Sequence, residues 1–324
     1  MLKCLVFFLS LNLLFSCGKT ADEKTMSAVL SANISLSKGN CQEAIDILEA
    51  NGRQVHDAHY LKTLASAYAC RAKFSVVTFF ASDIGISATP APLGGATKYT
   101  TSQLTVSGSL ANDSNFKDLQ TGIDVLLYAG GFSTSTEPTS VERAKYFTAN
   151  QAADLNSQIL FMMFAQLGKY MEIYADAGTT GVKGSGSGSN NCFTDYSNTP
   201  GGIQTALGGM PGACKVINSS HPQLDSSLIS VALRRTRLCQ GIVLVNGILD
   251  ILPSVVASAG GGDLATISSL TATITDLKSD MVIAYPAIGA VAIVTSQYNC
   301  ENDPAITVAT VESYFAMIFE ALIQ

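Results

Sequence analysis

Two histidines lie close together in His56-Asp57-Ala58-His59. On a helix this spacing puts both imidazoles on the same side, where their ring nitrogens could hold a metal ion. No third ligand is evident in the sequence, and exposed histidines at the start of a helix are far commoner than metal sites. We therefore expect both histidines to be surface residues, and we expect neither a metal nor a cofactor.

The catalytic motifs that are readable from sequence are missing. A serine hydrolase needs a Gly-x-Ser-x-Gly elbow with histidine and aspartate partners; the elbow is absent, and His221, like the two earlier histidines, has no supporting context. Lys183 is followed by Gly184, whereas a phosphate-binding loop needs Ser or Thr there. The glycines after Asp176 lack the alternating carboxylates of a calcium loop. We predict that the chain is not an enzyme.

Cysteines are the other reactive residues. Setting Cys4 and Cys17 aside, an even number remains, which in an exported chain suggests three disulfides among 15 formal pairings. No Cys-x-x-Cys occurs, so zinc-binding and thioredoxin-like functions have little support. The disulfide candidates are Cys41, Cys70, Cys192, Cys214, Cys239 and Cys300.

The start of the chain indicates export. Lys3 precedes the apolar run Leu5–Leu14, which is too short for a bilayer span and is typical of a secretory signal. Leu14-Phe15-Ser16-Cys17 resembles the lipobox of bacterial lipoproteins, in which the cysteine is freed by cleavage and acylated. The resemblance implies a signal peptide over 1–16, a palmitate-bearing Cys17 and a tether over 17–25. An ordinary secreted or uncleaved start is the alternative.

Gly18 bears on the membrane that the anchor would enter. In well-known bacterial lipoproteins an aspartate after the lipidated cysteine marks retention in the inner membrane, so glycine there implies the outer membrane. The body would face the periplasm or the outer surface, tethered to the membrane by its lipid.

The charge balance excludes nucleic acid as a partner. The formal net charge is −6 and only 14% of the residues are charged, whereas nucleic-acid binding needs concentrated positive charge. Arg234, Arg235 and Arg237 form the one dense basic group, which we expect to be a solvated helix face. With so few charges, either Ser, Thr, Gly and Ala cover much of the surface, which we favour, or an apolar face is covered by a partner.

Residues 26–80 show helical periodicity. Gly39-Asn40 and Asn51-Gly52 separate three apolar helical patterns, the last of which starts near Asp57. Gly39, Ala44 and Leu48, followed by Leu64-Ala65-Ser66-Ala67-Tyr68, resemble the tetratricopeptide repeat, which implies stacked helical hairpins. An unrelated helical hairpin is the alternative. In a stacked array the start of one helix lies beside the end of the next, so a Cys41–Cys70 disulfide fits and would contribute roughly 3–4 kcal/mol.

The remainder divides into loops and a helical bundle. We predict a long loop over 81–114 and a bundle over 115–324, interrupted by an irregular Gly/Ser-rich loop over 177–222 in which Cys192 and Cys214 pair locally. A helix that starts near Asn150 carries an apolar stripe on Leu155, Ile159, Met163, Leu167, Tyr170 and Tyr174.

The C-terminal pattern predicts three further features. Leu238–Leu252 is apolar on most sides, as in a central helix, and Pro253 would end it. A second apolar helix would run from Pro286 to about Tyr298, and Asp303-Pro304 would open the last one. Cys239 and Cys300 would join the central helix to the end of a later helix.

The sequence thus predicts an all-α protein of the cell envelope that binds partners and does not convert a substrate. Its function would be that of a non-enzymatic interaction scaffold, with a protein partner or a second copy. One alternative is a protein that binds an apolar or small ligand between the Met- and Tyr-bearing helix and the C-terminal bundle, similar in outline to the helical lipoproteins of certain periplasmic transporters. The other is an enzyme whose dispersed site leaves no motif.

Overall fold

The computed structural model describes residues 20–75, 110, 112–175, 192–199, 221, 223–258 and 265–320. For residues 175, 258, 265–271, 273, 274 and 277 it describes the backbone alone. These described residues form helices and turns with no strand, which confirms the predicted all-α class. Most of the predicted loops 81–114 and 177–222, like the predicted signal peptide and Cys17, lie outside the described residues.

Eleven α-helices make up the described part of the chain. In order they are α1 (Ala21–Ser37), α2 (Cys41–Ala50), α3 (Ala58–Arg71), α4 (Ser114–Leu127), α5 (Ser140–Arg143), α6 (Ala149–Ala175), α7 (Val231–Ser258), α8 (Ala265–Ala284), α9 (Gly289–Ile293), α10 (Gln297–Asn302) and α11 (Val308–Phe315). A 3₁₀ turn at Pro286–Ile288 precedes α9, and a π turn at Ala316–Glu320 continues α11.

Helix α1 starts earlier than its apolar pattern indicates. The Thr20 side chain accepts a hydrogen bond from the Glu23 N–H (3.2 Å), and the Glu23 carboxylate accepts one from the Thr20 N–H (2.7 Å). This reciprocal capping box satisfies two N–H groups at the helix start. Residues 21–25, predicted to belong to a polar tether, therefore form the first turns of α1.

The turns between α1, α2 and α3 follow the prediction. Gly39 and Gly52 have positive φ angles of 79° and 78°, the left-handed conformation in which glycine commonly ends a helix. The Cys41–Cys70 disulfide is present, with Cα atoms 5.6 Å apart, and joins the start of α2 to the end of α3. The predicted bridge is confirmed.

Helices α3 and α4 join the N-terminal hairpins to the bundle in one apolar core. A Cβ atom added at Gly122 of α4 would lie 3.1 Å from the Ala65 carbonyl oxygen, so only small residues allow these helices to approach so closely. Beside this contact, the Arg71 guanidinium binds both carboxylate oxygens of Asp118, at 2.6 and 2.8 Å.

Helices α6 and α7 pack along each other at the centre of the bundle. All six residues of the predicted α6 stripe are buried. Helix α7 continues through Pro253 to Ser258, so the prediction that this proline ends the helix is wrong. Pro253 is exposed, whereas Leu252 and Val255 are buried, and this packing holds the helix together although proline supplies no backbone N–H.

The chain after Pro286 forms several short helical segments, whereas its apolar pattern predicts one continuous helix. The Glu137 carboxylate accepts hydrogen bonds from the Thr295 N–H (2.6 Å) and the Ser296 N–H (2.9 Å), which holds this segment extended between α9 and α10. Ser296 then caps α10. Asp303 and Pro304 form a turn, and Thr307 caps α11 instead. The predicted helix from Pro286 to Tyr298 and the predicted helix start at Asp303-Pro304 are therefore both wrong. Residues distant in sequence bind the backbone groups of this region.

The C-terminal disulfide is also confirmed. Cys239 of α7 and Cys300 of α10 are bonded, with Cα atoms 5.8 Å apart, and both side chains are fully buried. Cys192 is likewise in a disulfide. Its predicted partner, Cys214, lies outside the described residues.

The predicted solvated arginine face is wrong. Arg234 is 1% exposed, and its guanidinium lies 2.8 Å from the carboxylates of both Asp195 and Glu312. Arg235 donates hydrogen bonds to the carbonyl oxygens of Cys300 (2.9 Å) and Ile306 (2.6 Å). Since a buried charge needs compensating partners, these arginines hold one earlier segment, at Asp195, and later segments of the chain against α7.

Gly241 marks the closest approach between α7 and a cluster of buried aromatic rings. A Cβ atom there would lie 2.7 Å from Cζ of Tyr170 and 2.9 Å from Cζ of Phe319. The Phe315 and Phe319 rings stack with centroids 4.0 Å apart, so neither ring can move aside to make room for a Cβ atom. The absence of a side chain at this position lets α7 lie against the cluster.

We expect Gly241→Ala to lower the free energy of unfolding by up to about 2 kcal/mol, because overpacking costs about 1–3 kcal/mol and the gain in helix propensity returns only roughly 1 kcal/mol. Urea unfolding followed by circular dichroism measures the change. Gly247→Ala is the matched control, since its Cβ would meet only the flexible end of Met163. Equal stability losses in the two variants would contradict the steric explanation.

Candidate functional site

The sequence-predicted histidines do not form a site. His56 and His59 are both exposed, and the His56 ring stacks on Tyr146 with centroids 5.7 Å apart. His221 is buried beside Phe193, far along the chain from the other two. Among the described residues no group of three His, Cys, Asp or Glu side chains could hold a metal ion. The prediction that no metal is bound stays a prediction.

A cavity of about 420 Å³ lies between α4, α6, α7 and α10. We call it the central cavity. Its volume falls in the lower part of the ~300–1,000 Å³ range of small-molecule sites. It adjoins Met163 of the long Met- and Tyr-bearing helix and the C-terminal helices, which is where the ligand-binding alternative placed a pocket.

One side of the central cavity is apolar. Phe116 and Leu127 come from α4, Met163 from α6 and Leu244 from α7, and all four side chains are buried. They lie on the same apolar helix faces that form the protein core, so the fold fixes their positions. This wall would bind the apolar part of a ligand.

Asp124 of α4 is the most perturbed acidic group of the cavity. Its side chain is open to the cavity, but the surrounding protein withdraws it from bulk water and raises its pKa to about 6. A hydrogen bond from Gln120 Nε2 to Asp124 Oδ1 (2.9 Å) partly opposes this effect. The fully buried Gln166 donates to Gln120 Oε1 (3.1 Å), and so fixes the orientation of that amide.

Helix α10 supplies a second polar wall. Glu301 and Gln297 line the cavity, and the Gln297 side-chain amide donates to the Glu301 carboxylate and to the Thr236 carbonyl oxygen (3.1 Å). Tyr298, about half exposed, stands on the same short helix. The Cys239–Cys300 bond attaches this wall to α7.

Two further polar groups reach the cavity. Oε1 of Gln240 on α7 is buried and has no hydrogen-bond partner among the described residues, so it is available to a donor on a ligand. Burial raises the pKa of Tyr128, against a lowering hydrogen bond with Ser296, so its hydroxyl stays protonated at neutral pH. The site therefore combines hydrogen-bond acceptors, hydroxyl groups and an apolar wall.

Sequence reasoning missed the polar residues of this site. Asp124 and Glu301 are 177 positions apart, and each stands on the polar side of an amphipathic helix, where solvent is the ordinary neighbour. The apolar stripes of α4 and α6 were the available signal, since they predict which helix faces meet. They do not predict where the meeting faces leave a gap.

The fold and site define an all-α, disulfide-linked protein with a cavity between four of its helices. Among the described residues one helix, Val231–Ala257, is long and apolar enough to span a membrane, but 61% of its apolar window is buried inside the protein, as in any core helix. Comparison with protein-family models, curated proteins and solved structures finds no match to this chain.

Proposed function

We propose that this chain is an exported, lipid-anchored envelope protein that binds a small molecule in the central cavity. The cavity carries the proposal, because it pairs a buried apolar wall with convergent polar groups on Asp124, Gln240 and Glu301. Small-molecule sites have this composition. The lipobox-like Cys17 supports the envelope location, where an attached acyl chain would contribute about 0.8 kcal/mol per buried methylene.

The oxidising compartment has independent support in the disulfides. Cys41–Cys70 and Cys239–Cys300 are formed, and Cys192 is disulfide-bonded as well. Disulfides persist in exported proteins and are rare where thiols are kept reduced. An export signal at the start of the chain and structural disulfides in its body favour the same location.

Mass spectrometry of the protein purified from its own envelope would test both the lipid anchor and the binding of a small molecule. Under native conditions we expect a mass excess of one small molecule per chain, which denaturation releases. The denatured chain should start at Cys17 and keep the added mass of its acyl groups. A chain that is empty in native spectra, and that binds no member of a small-compound set, would contradict the proposed ligand-binding function.

A cavity-filling variant localises the ligand. Val243→Trp places a large ring in the central cavity from α7, and should abolish the native mass excess. Ile293→Trp is the matched control because Ile293 is 73% exposed on α9. Circular dichroism should show both variants folded. Loss of the ligand from both variants, or from neither, would place it elsewhere.

The scaffold function predicted from the sequence is the second candidate. Met26, Leu30 and Ile34 of α1 are 75%, 63% and 48% exposed, and their spacing puts them on one face of that helix. Such a stripe suits a protein partner or a second copy. The same native spectra would then show the mass of another polypeptide in place of a small-molecule excess.

A further inference from the structure

We propose that the ligand of the central cavity is a small organic cation, held by the Asp124 carboxylate on one wall and Glu301 on the other. This inference rests on the proposed ligand-binding function. It concerns the chemical class of the ligand, which the size of the cavity leaves open.

The charges of the lining carry the first step. Asp124 and Glu301 both line the cavity, and no Lys, Arg or His is among its described lining residues. A cation bound in the cavity would be attracted to both carboxylates. No positively charged side chain among the described lining residues could bind an anion, so the lining disfavours anionic ligands.

The second step comes from what the two carboxylates lack. Three other buried or half-buried carboxylates of the described chain have arginine partners: Asp118 binds Arg71, while Asp195 and Glu312 bind Arg234. Asp124 and Glu301 instead accept hydrogen bonds from the neutral amides of Gln120 and Gln297. Amides orient a carboxylate without neutralising it, so the counter-charge is left to the ligand.

The remaining lining distinguishes an organic cation from a metal ion. Aromatic side chains of Phe116, Tyr128 and Tyr298 line the cavity, and aromatic rings attract ammonium groups through their electron-rich faces. The apolar wall suits a carbon skeleton. Gln240 Oε1 offers an acceptor for an N–H or O–H group of the ligand. A hard divalent metal ion prefers oxygen ligands and gains nothing from these apolar and aromatic groups.

Matched probes test the charge preference. Choline and 3,3-dimethylbutan-1-ol share a shape and differ in charge, as do phenethylammonium and 2-phenylethanol. By isothermal titration calorimetry at pH 7.5, we expect at least one cation to bind at least tenfold more tightly than its neutral isostere. Calcium chloride alone and 3,3-dimethylbutanoate, an anion, complete the set and should not bind in the cavity.

Asp124→Asn should abolish most of this preference while leaving the binding of the neutral isostere unchanged. Asp46→Asn is the matched control, because Asp46 accepts a hydrogen bond from Gln42 four residues earlier, as Asp124 does from Gln120, but lies on α2 and does not line the cavity. The control variant should bind the cation like the original chain. Equal cation affinity in both variants would overturn the role of Asp124.

The pH dependence provides a readout that a structural effect would not reproduce. With a folded pKa of about 6, Asp124 is mostly protonated at pH 5 and mostly ionised at pH 7, so the affinity for choline, whose charge is fixed, should rise about tenfold over this range. The other titratable groups that line the cavity are Tyr128, directly after α4, and Tyr298 and Glu301 on α10. In Asp124→Asn only these other groups can titrate, so most of the increase in choline affinity between pH 5 and pH 7 should disappear.

The outcomes separate this inference from the proposed function. Neutral isosteres that bind as tightly as the cations, or an anion or calcium that binds more tightly, would overturn the cation assignment and leave ligand binding standing. A chain that binds none of the probes and shows no native mass excess would remove both. A tenfold cation preference that is lost in Asp124→Asn and in Val243→Trp, but kept in Asp46→Asn, supports the assignment.

Discussion

Arg234→Met is expected to lower the free energy of unfolding by about 3–5 kcal/mol, the cost of leaving buried charges without their partner. Arg234 lies between Asp195 and Glu312, and Glu312 is fully buried. Methionine fills much of the arginine volume, so the loss reports the missing charge more than a cavity. Because Arg234 ties Asp195, and with it the 192–199 segment, to α7, that segment should detach first.

Urea unfolding followed by circular dichroism would measure this loss. Arg53→Met is the control: its ion pair with Glu49 is an exposed pair one helical turn apart, for which we expect about 0.5 kcal/mol or less. Adding Asp195→Asn and Glu312→Gln to Arg234→Met should recover at least half of the loss, since neutral amides no longer need a cation. A loss in Arg234→Met no larger than that in the control would contradict the buried-charge explanation.

Removal of the second disulfide by Cys239→Ala with Cys300→Ala is expected to cost about 4 kcal/mol. The bridge spans a sequence separation of 61, and closing a loop of that size constrains the unfolded chain by roughly this amount. Both sulfur atoms lie in the core, so alanine also leaves a small gap. Since the bridge attaches α10 to α7, ligand affinity should fall with stability.

Cys41→Ala with Cys70→Ala provides the comparison. That bridge spans a sequence separation of 29, which gives a somewhat smaller expected loss of about 3.6 kcal/mol, and it lies away from the central cavity. Its removal should lower the unfolding midpoint while leaving cation affinity unchanged in the fraction that is folded. If both double variants weaken binding alike, the bridge to α10 does not hold the cavity wall.

Local patterns were enough to predict the helical architecture. The α6 stripe is buried as its spacing requires, and Gly52 ends α2 in the left-handed conformation that Asn-Gly favours. The Cys41–Cys70 disulfide was predictable because the helices that it joins follow each other in the chain and pack antiparallel. In these cases the deciding interactions lie within a few residues or repeat along one helix.

The errors share a different cause. Arg234 was predicted to be solvated because its partners, Asp195 and Glu312, come from distant segments. The helix predicted from Pro286 to Tyr298 is interrupted because Glu137, more than 150 residues earlier, binds the backbone at Thr295 and Ser296. The polar wall of the central cavity arises in the same way. Periodicity along one chain carries no information about such partners.

Helix α10 has only six residues, too few for stability in isolation, yet it forms one wall of the cavity. Glu137 places negative charge at its N-terminal end, and Arg235 places positive charge on carbonyl oxygens at its C-terminal end, so both ends complement the helix dipole. A wall anchored in this way needs no rearrangement before an incoming molecule docks. Association should therefore follow a single exponential whose rate rises linearly with ligand concentration, without the plateau of a preceding closure step.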